Sequence, residues 1–191
     1  MCIRDRYNIN ELEVLAQELR EAIINKVSDC GGHLASNLGI VELTIALHYV
    51  FDAPKDKFVF DVSHQTYCHK MLTGRKAAFI KKENYKDVRG FSNPKESEYD
   101  LFALGHTSTS VSLACGLAKA RDLKHDSENV IAVIGDASLD GGEAFEALNC
   151  AAEINSNLIV VINDNEMSIP ENHGALGRHL KQLSLIHISE P

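Results

Sequence analysis

Apolar residues recur every three or four positions near the start of the chain, at Leu12, Leu15, Ala16, Leu19, Ile23 and Val27. That period lines one face of an α-helix. Asn8, with Glu11 three residues on, has the form of a capping box that would start it, and Gly31-Gly32 supplies the stop. A second helix is predicted over 40–50, with Leu43, Ala46 and Leu47 inward, and Pro54 breaks the chain after it. Phe58-Val59-Phe60 predicts a short buried strand that ends in Asp61-Val62-Ser63-His64. Residues 67–79 predict one or two short helices around Gly74. Residues 83–105 carry charges and the turn residues Gly90 and Ser92-Asn93-Pro94. A loop that long inside a compact domain is usually functional or mobile.

The second half alternates more regularly. Thr107 to Arg121 predicts a helix whose small residues (Ala114, Cys115, Ala118) allow close packing. Val130–Ile134 and Leu158–Ile162 are continuous apolar runs, which suit parallel strands covered on both faces. Between them, 143–154 predicts a helix with Phe145, Leu148, Ala151 and Ala152 apolar. Strand, helix and strand in this order make a βαβ unit with parallel strands. The expected fold is α/β, with an open, mainly parallel sheet and helices on both faces. Residues 7–184 are expected to form one domain. Residues 1–6 and 185–191 have no pattern of their own and read as non-native ends.

The 191 residues are 45% hydrophobic and 24% charged, which fits a globular protein and excludes disorder or a collagen-like chain. A net charge of −8 argues against a nucleic-acid surface. No apolar run reaches the roughly 18 residues of a membrane span. The five cysteines (Cys2, Cys30, Cys68, Cys115, Cys150) form no Cys-x-x-Cys pair and read as reduced thiols, so a cytoplasmic setting is expected. The histidine spacings do not match a zinc site.

Chemistry concentrates where the two apolar strands end. One leads into Gly135-Asp136 and the other into Asn163-Asp164-Asn165. Parallel strands emerge on one carboxyl edge, where open α/β sheets bind ligands. Asp136 and Asn165, 29 residues apart, are both hard oxygen donors of the kind Mg²⁺ takes alongside phosphate oxygens. Ala137, Ser138, Gly141 and Gly142 follow and lead into a helix whose amides can meet an anion. Two readings stay open on spacing alone. Either the edge holds Mg²⁺ and a diphosphate, or Asp136 caps a helix and Asn165 sits in a turn. A dinucleotide-binding domain is disfavoured because Gly-x-Gly-x-x-Gly is missing after a strand.

Gly135-Asp136-Ala137 through Asn163-Asp164-Asn165 resembles the thiamine diphosphate motif. Four further stretches extend the likeness: His33-Leu-Ala-Ser-Asn-Leu-Gly39, Asp61-Val-Ser-His64-Gln-Thr-Tyr-Cys-His69-Lys70, Gly105-His106-Thr-Ser-Thr-Ser110 and Glu143-Ala-Phe-Glu-Ala-Leu-Asn149. With Asn163–Ile169, they resemble the 1-deoxy-D-xylulose-5-phosphate synthases, a family of transketolase-like enzymes. The resemblance covers 11–183. It implies the diphosphate-binding domain of the thiamine diphosphate-binding fold, with thiamine diphosphate and Mg²⁺ as cofactors. Asp136 and Asn165 would bind Mg²⁺ together with the backbone carbonyl of Met167. Ala137 and Ser138 would offer backbone contacts to the diphosphate. His64, Gly105, His106 and Thr107 would line the cofactor, and His33 would assist proton transfers.

The implied reaction joins pyruvate to glyceraldehyde 3-phosphate. A separate pyrimidine-binding domain, in cis or in trans, would complete the site, and a homodimer is implied. This chain alone is expected to be catalytically silent. Alternatives are a diverged paralogue or split subunit with another acceptor, and a non-catalytic cofactor-domain module. Three departures from the family pattern bear on this. Ala137 replaces a glycine, which matters if its φ is positive. Ser63 stands where glycine is common. Glu143 places a carboxylate in a helix's first turn, which suits the helix dipole but could repel a diphosphate.

Overall fold

The computed structural model describes residue 3 and residues 7–164. Helix α1 (Ile9–Cys30) opens on the expected capping box. The Glu11 N–H donates to Asn8 Oδ1 at 3.1 Å, and the Asn8 N–H donates to Glu11 Oε2 at 2.7 Å. Gly31 ends it at φ 77°, a conformation that costs glycine little. The helix buries Leu15, Ala16, Leu19 and Ile23, and also Lys26. The Lys26 ammonium donates to the carbonyls of Ala78 and Tyr85 and lies 4.3 Å from the centre of the Phe79 ring.

A short helix, α2 (Leu34–Leu38), then precedes α3 (Val41–Val50). The inward face of α3 is Val41, Thr44, Ile45, Leu47 and His48. Ala46, expected inward, is exposed, and Leu43 is half-buried. Positions 41, 44, 45 and 48 lie on one helical stripe, and Ala46 falls outside it. After strand β1 (Lys57–Phe60) come α4 (Tyr67–Lys70), a widened turn over Met71–Arg75 and α5 (Ala77–Ile80). The expected break at Gly74 is present, at φ 97°. Helix α6 (Ser110–Lys124), β2 (Val130–Gly135), α7 (Asp136–Leu139), α8 (Gly142–Ile154) and β3 (Leu158–Asn163) complete the order. Helix α6 starts three residues later than expected because Ser108 takes a left-handed φ of 69°, which a helix cannot include.

The sheet is parallel in the order β1-β2-β3, with Val59 opposite Ala132 and Ala132 opposite Val160. Strand alternation divides the core. Val59, Val130, Ala132 and Ile134 pack with Val111, Ala114, Cys115 and Ala118 of α6 and Ala144 and Ala147 of α8. Phe58, Phe60, Ile131 and Val133 pack on the opposite face with Ile40 and Leu47. Helices therefore cover both faces, as a parallel sheet requires. Along α8 the inward stripe is Ala144, Ala147, Leu148 and Ala151, while Phe145 and Ala152 point outward.

The long stretch after α5 contains a 3₁₀ turn (Lys82–Asp87) and is pinned by buried charges. The fully buried Lys70 ammonium donates to the carbonyls of Arg89 and Phe91 and to Glu96 Oε2 at 2.6 Å. Arg75 donates to both oxygens of Asp100, whose Oδ2 also accepts the Asn93 N–H. His69 Nε2 lies 3.4 Å from Asp100, and its Nδ1 shares a 3.0 Å hydrogen bond with His48. Polar anchors, in place of a secondary-structure ladder, order this loop.

The network carries a pH dependence. Burial, with the neighbouring His69, depresses His48 to about 3. Burial also lowers His69, against the pull of Asp100. An unfolded histidine titrates near about 6.5. Below that value the unfolded chain takes up protons that the folded chain refuses, so stability falls as pH drops from about 6.5 toward 3. Asp100 adds to the loss further down. Its burial pushes the carboxyl up, but hydrogen bonds from His69, Arg75 and the Asn93 N–H outweigh burial and hold it well below the ordinary range. Its contribution is therefore present above about pH 4, the unfolded aspartate value, and lost below it. Urea midpoints are expected to be lower at pH 5 than at pH 7.5, and His48→Gln should narrow that difference.

Candidate functional site

The carboxyl end of β1 organises one edge of the sheet. Asp61 is almost fully buried. Its Oδ1 accepts the Ser108 N–H and its Oδ2 accepts the Ser110 N–H, both at 2.9 Å. One carboxylate from β1 thus caps α6 and fixes the turn that carries Gly105, His106 and Thr107. Charge-assisted bonds to backbone amides are the strong kind. The chain then reverses. The Ser63 N–H bonds back to the Asp61 carbonyl around Val62 at φ 55°, and Ser63 itself lies at φ 67°. Left-handed backbone at a β-branched residue is strained, and such strain gathers at functional sites. Ser63 is a serine in left-handed backbone, a conformation that glycine takes at less cost. The serine gains a bond in exchange, because its Oγ accepts the Ser92 N–H at 2.9 Å.

Beyond this reversal, His64 meets His33. Their ring centres are 5.4 Å apart, edge to face, and Phe91 packs against His33 at 5.2 Å. The His33 N–H donates to the Tyr67 hydroxyl at 3.3 Å. Between the two histidine loops lies Asn37, fully buried, whose carboxamide reaches the His33 and His64 carbonyls at 2.7 and 2.8 Å. Nδ1 of each imidazole is buried without a hydrogen-bond partner among the described residues. Burial lowers the His64 pKa, and His33 lowers it further against the opposing pull of Asp61, which favours the neutral imidazole.

The second part of the edge joins the His106 turn to the end of β2. Thr107 Oγ1 donates to Ser138 Oγ at 2.8 Å, and Ser108 Oγ donates to the Ser138 carbonyl at 2.7 Å. His106 and Thr107 are exposed, with His106 Nδ1 2.8 Å from the Thr107 carbonyl. Asp136 opens α7 half-buried, and Ala137 is exposed within that helix. Ala137 is therefore in helical backbone, which alanine adopts without strain. Glu143 stands exposed in the first turn of α8, as expected. The N-cap of α8, Gly141, has no side chain to satisfy the first amides.

The strand ends meet as anticipated: Gly135 pairs with Asn163, placing the start of α7 beside Asn163-Asp164. Asn165 and Met167 lie outside the described residues, so the proposed pairing of Asp136 with Asn165 lies there too. The structure thus brings His33 to His64, and Thr107 to Ser138, with the β1 tip joining the two groups. Asn37, Asp61, Tyr67 and Ser108 are structurally central, yet the sequence pattern assigned them no role. For all four a signal existed, since each stands inside one of the quoted motif stretches. Ser108 and Tyr67 act through left-handed backbone and a hydroxyl contact that no spacing announces.

An open parallel sheet with helices on both faces and polar loops at its carboxyl edge makes an α/β domain, and its fold is transketolase-like. Among solved structures, a transketolase from Campylobacter jejuni subsp. jejuni NCTC 11168 superposes with a TM-score of 0.76 at 21% identity, over 92% of this chain and 32% of that one. The particular family is set by sequence. The family model described as 1-deoxy-D-xylulose-5-phosphate synthase matches residues 4–190, and the chain belongs to that family. A synthase of that name from Desulforudis audaxviator is 58% identical over 174 residues, and one from Dictyoglomus turgidum is 56% identical over 178. These cover 91% and 93% of this chain but only 27% and 29% of the relatives, so the chain spans little more than a quarter of their length.

Proposed function

We propose that this chain is the diphosphate- and Mg²⁺-holding part of a thiamine diphosphate enzyme that condenses pyruvate with D-glyceraldehyde 3-phosphate. The products would be CO₂ and 1-deoxy-D-xylulose 5-phosphate, a precursor for isoprenoid and thiamine synthesis. The observation that carries this reading is the gathering of His33, His64, Thr107 and Ser138 at the edge where β1 and β2 end, in a chain of the synthase family.

The residues present fit such a cofactor. Two buried imidazole nitrogens lack partners among the described residues, and a cofactor with polar ring atoms would supply them. Across the β1 tip, hydroxyls, the uncapped first turn of α8 and the Asp136 carboxylate suit a metal-bound diphosphate. When bound, thiamine diphosphate supplies the nucleophilic carbon and the electron sink for decarboxylation. The chain's own residues bind and orient. Asp136, with Asn165 and the Met167 carbonyl, would hold Mg²⁺. Ala137 and Ser138 would meet the diphosphate through their backbone, and His64 with Gly105–Thr107 would line the cofactor. His33 would exchange protons with substrate at its imidazole. A pyrimidine-binding domain from the remaining protein, in cis or in trans, would close the site, in a cytoplasmic homodimer.

Calorimetry tests this reading: the chain is expected to take up thiamine diphosphate with Mg²⁺ and to ignore NAD. Uptake of NAD instead would overturn it.

A further inference from the structure

We propose that Asn37 is the positioning residue for the two site histidines: its single carboxamide takes the backbone carbonyls of both His33 and His64 and so sets how their imidazoles face one another. The inference deepens the functional reading above, on which the role of the histidine pair rests.

The need for such a residue follows from the loops. His33 leaves Gly31 and Gly32, at φ 77° and 141°, and His64 leaves Val62 and Ser63, at φ 55° and 67°. Neither histidine stands on a strand, and α2, which follows His33, is only five residues long. Asn37 lies within α2, and its Nδ2 donates to His33 O four residues back and to His64 O 27 residues on. Its Oδ1 accepts the Tyr67 N–H at 2.9 Å, which ties the same side chain to the start of α4. Two acceptors on one side and one donor on the other leave a single orientation for the amide; turned over, all three contacts would be repulsive. Asparagine also suits this place because its side chain readily bonds the backbone in and around a helix's first turn. Leucine or aspartate there would keep the size and lose both donors.

The test needs no cofactor. In the intact 191-residue chain, followed by NMR, the Asn37 carboxamide protons are expected to exchange far more slowly than those of the exposed Asn155 side chain. Exchange at the exposed rate would overturn the proposal, and this reading holds whether or not any variant folds. Asn37→Asp and Asn37→Leu are expected to abolish the inter-ring cross-peak between His33 and His64. They should leave the strand amide signals and the buried His48–His69 pair in place. The charged or titratable groups acting on His64 are His33 and Asp61. In Asn37→Leu, which brings no new charge, the His64 midpoint should rise toward the ordinary value of about 6.5. An unchanged ring contact and midpoint in Asn37→Leu would overturn the proposal. Failure of thiamine diphosphate to bind the wild-type chain would instead count against the functional reading, and would leave the carboxamide contacts as they stand.

Discussion

Asp61→Ala is expected to unfold the chain at much lower denaturant than the wild type and to remove diphosphate binding. The carboxylate is 1% exposed and takes two backbone amides, Ser108 and Ser110, one with each oxygen. Alanine leaves both amides buried without an acceptor, and stranding a buried donor costs about 1–3 kcal/mol each. A loss of about 3 kcal/mol is expected, measured by urea denaturation at pH 7. Asp61→Asn keeps one acceptor oxygen but turns its NH₂ toward the other N–H, so it too should be destabilised. The consequence reaches beyond stability. The same amides begin α6 and hold the turn of His106 and Thr107, so a folded Asp61→Asn protein should still bind cofactor more weakly. Equal denaturation midpoints for Asp61→Ala and wild type would refute this role.

Gly141→Ala should be the second most damaging change. A Cβ there would collide with Ser108 Oγ and sit 2.6 Å from Ser108 Cβ. Ser108 has little freedom to yield: it is buried, left-handed, and bonded through its hydroxyl to the Ser138 carbonyl. Overpacking of this kind costs about 1–3 kcal/mol. The displacement would also separate the Thr107 turn from Ser138, so cofactor affinity should fall along with the thermal midpoint. Gly142→Ala is the control. Its Cβ would meet nothing within 4 Å among the described residues, and alanine favours a helix by up to about 1 kcal/mol over glycine, so that variant should be neutral or slightly stabilised. Similar losses from both substitutions would show that the contact with Ser108 is not the cause.

Much of this architecture could be read from the chain. The period of α1, its capping box, the two apolar runs that became β2 and β3, and the break at Gly74 all translate directly into backbone. Local chemistry dictated each of them, so a sequence pattern sufficed. Ala46 and Phe145 show where that stops. Both belong to apolar helices, but which apolar stripe turns inward depends on the partners across the interface. Helix α2 escaped because five residues show no period. The late start of α6 escaped because a distant side chain, Asp61, sets it from 47 and 49 positions away. The site follows the same division. Motif residues such as His33, His64, Thr107 and Ser138 could be named in advance, and His33 does meet His64 as Thr107 meets Ser138. The contacts that hold them in place could not be foreseen, since Asn37 bonds across 27 residues and Lys70 across 26 to Glu96.

The proposed function turns on whether this sheet edge grips a diphosphate through magnesium held at Asp136. Its most direct measurement is calorimetric titration of the chain with thiamine diphosphate, with and without Mg²⁺, repeated on Asp136→Ala. Binding is expected to require Mg²⁺ and to disappear in Asp136→Ala, with both proteins folded in the absence of ligand. Binding of equal strength without Mg²⁺, or undiminished in Asp136→Ala, would contradict it.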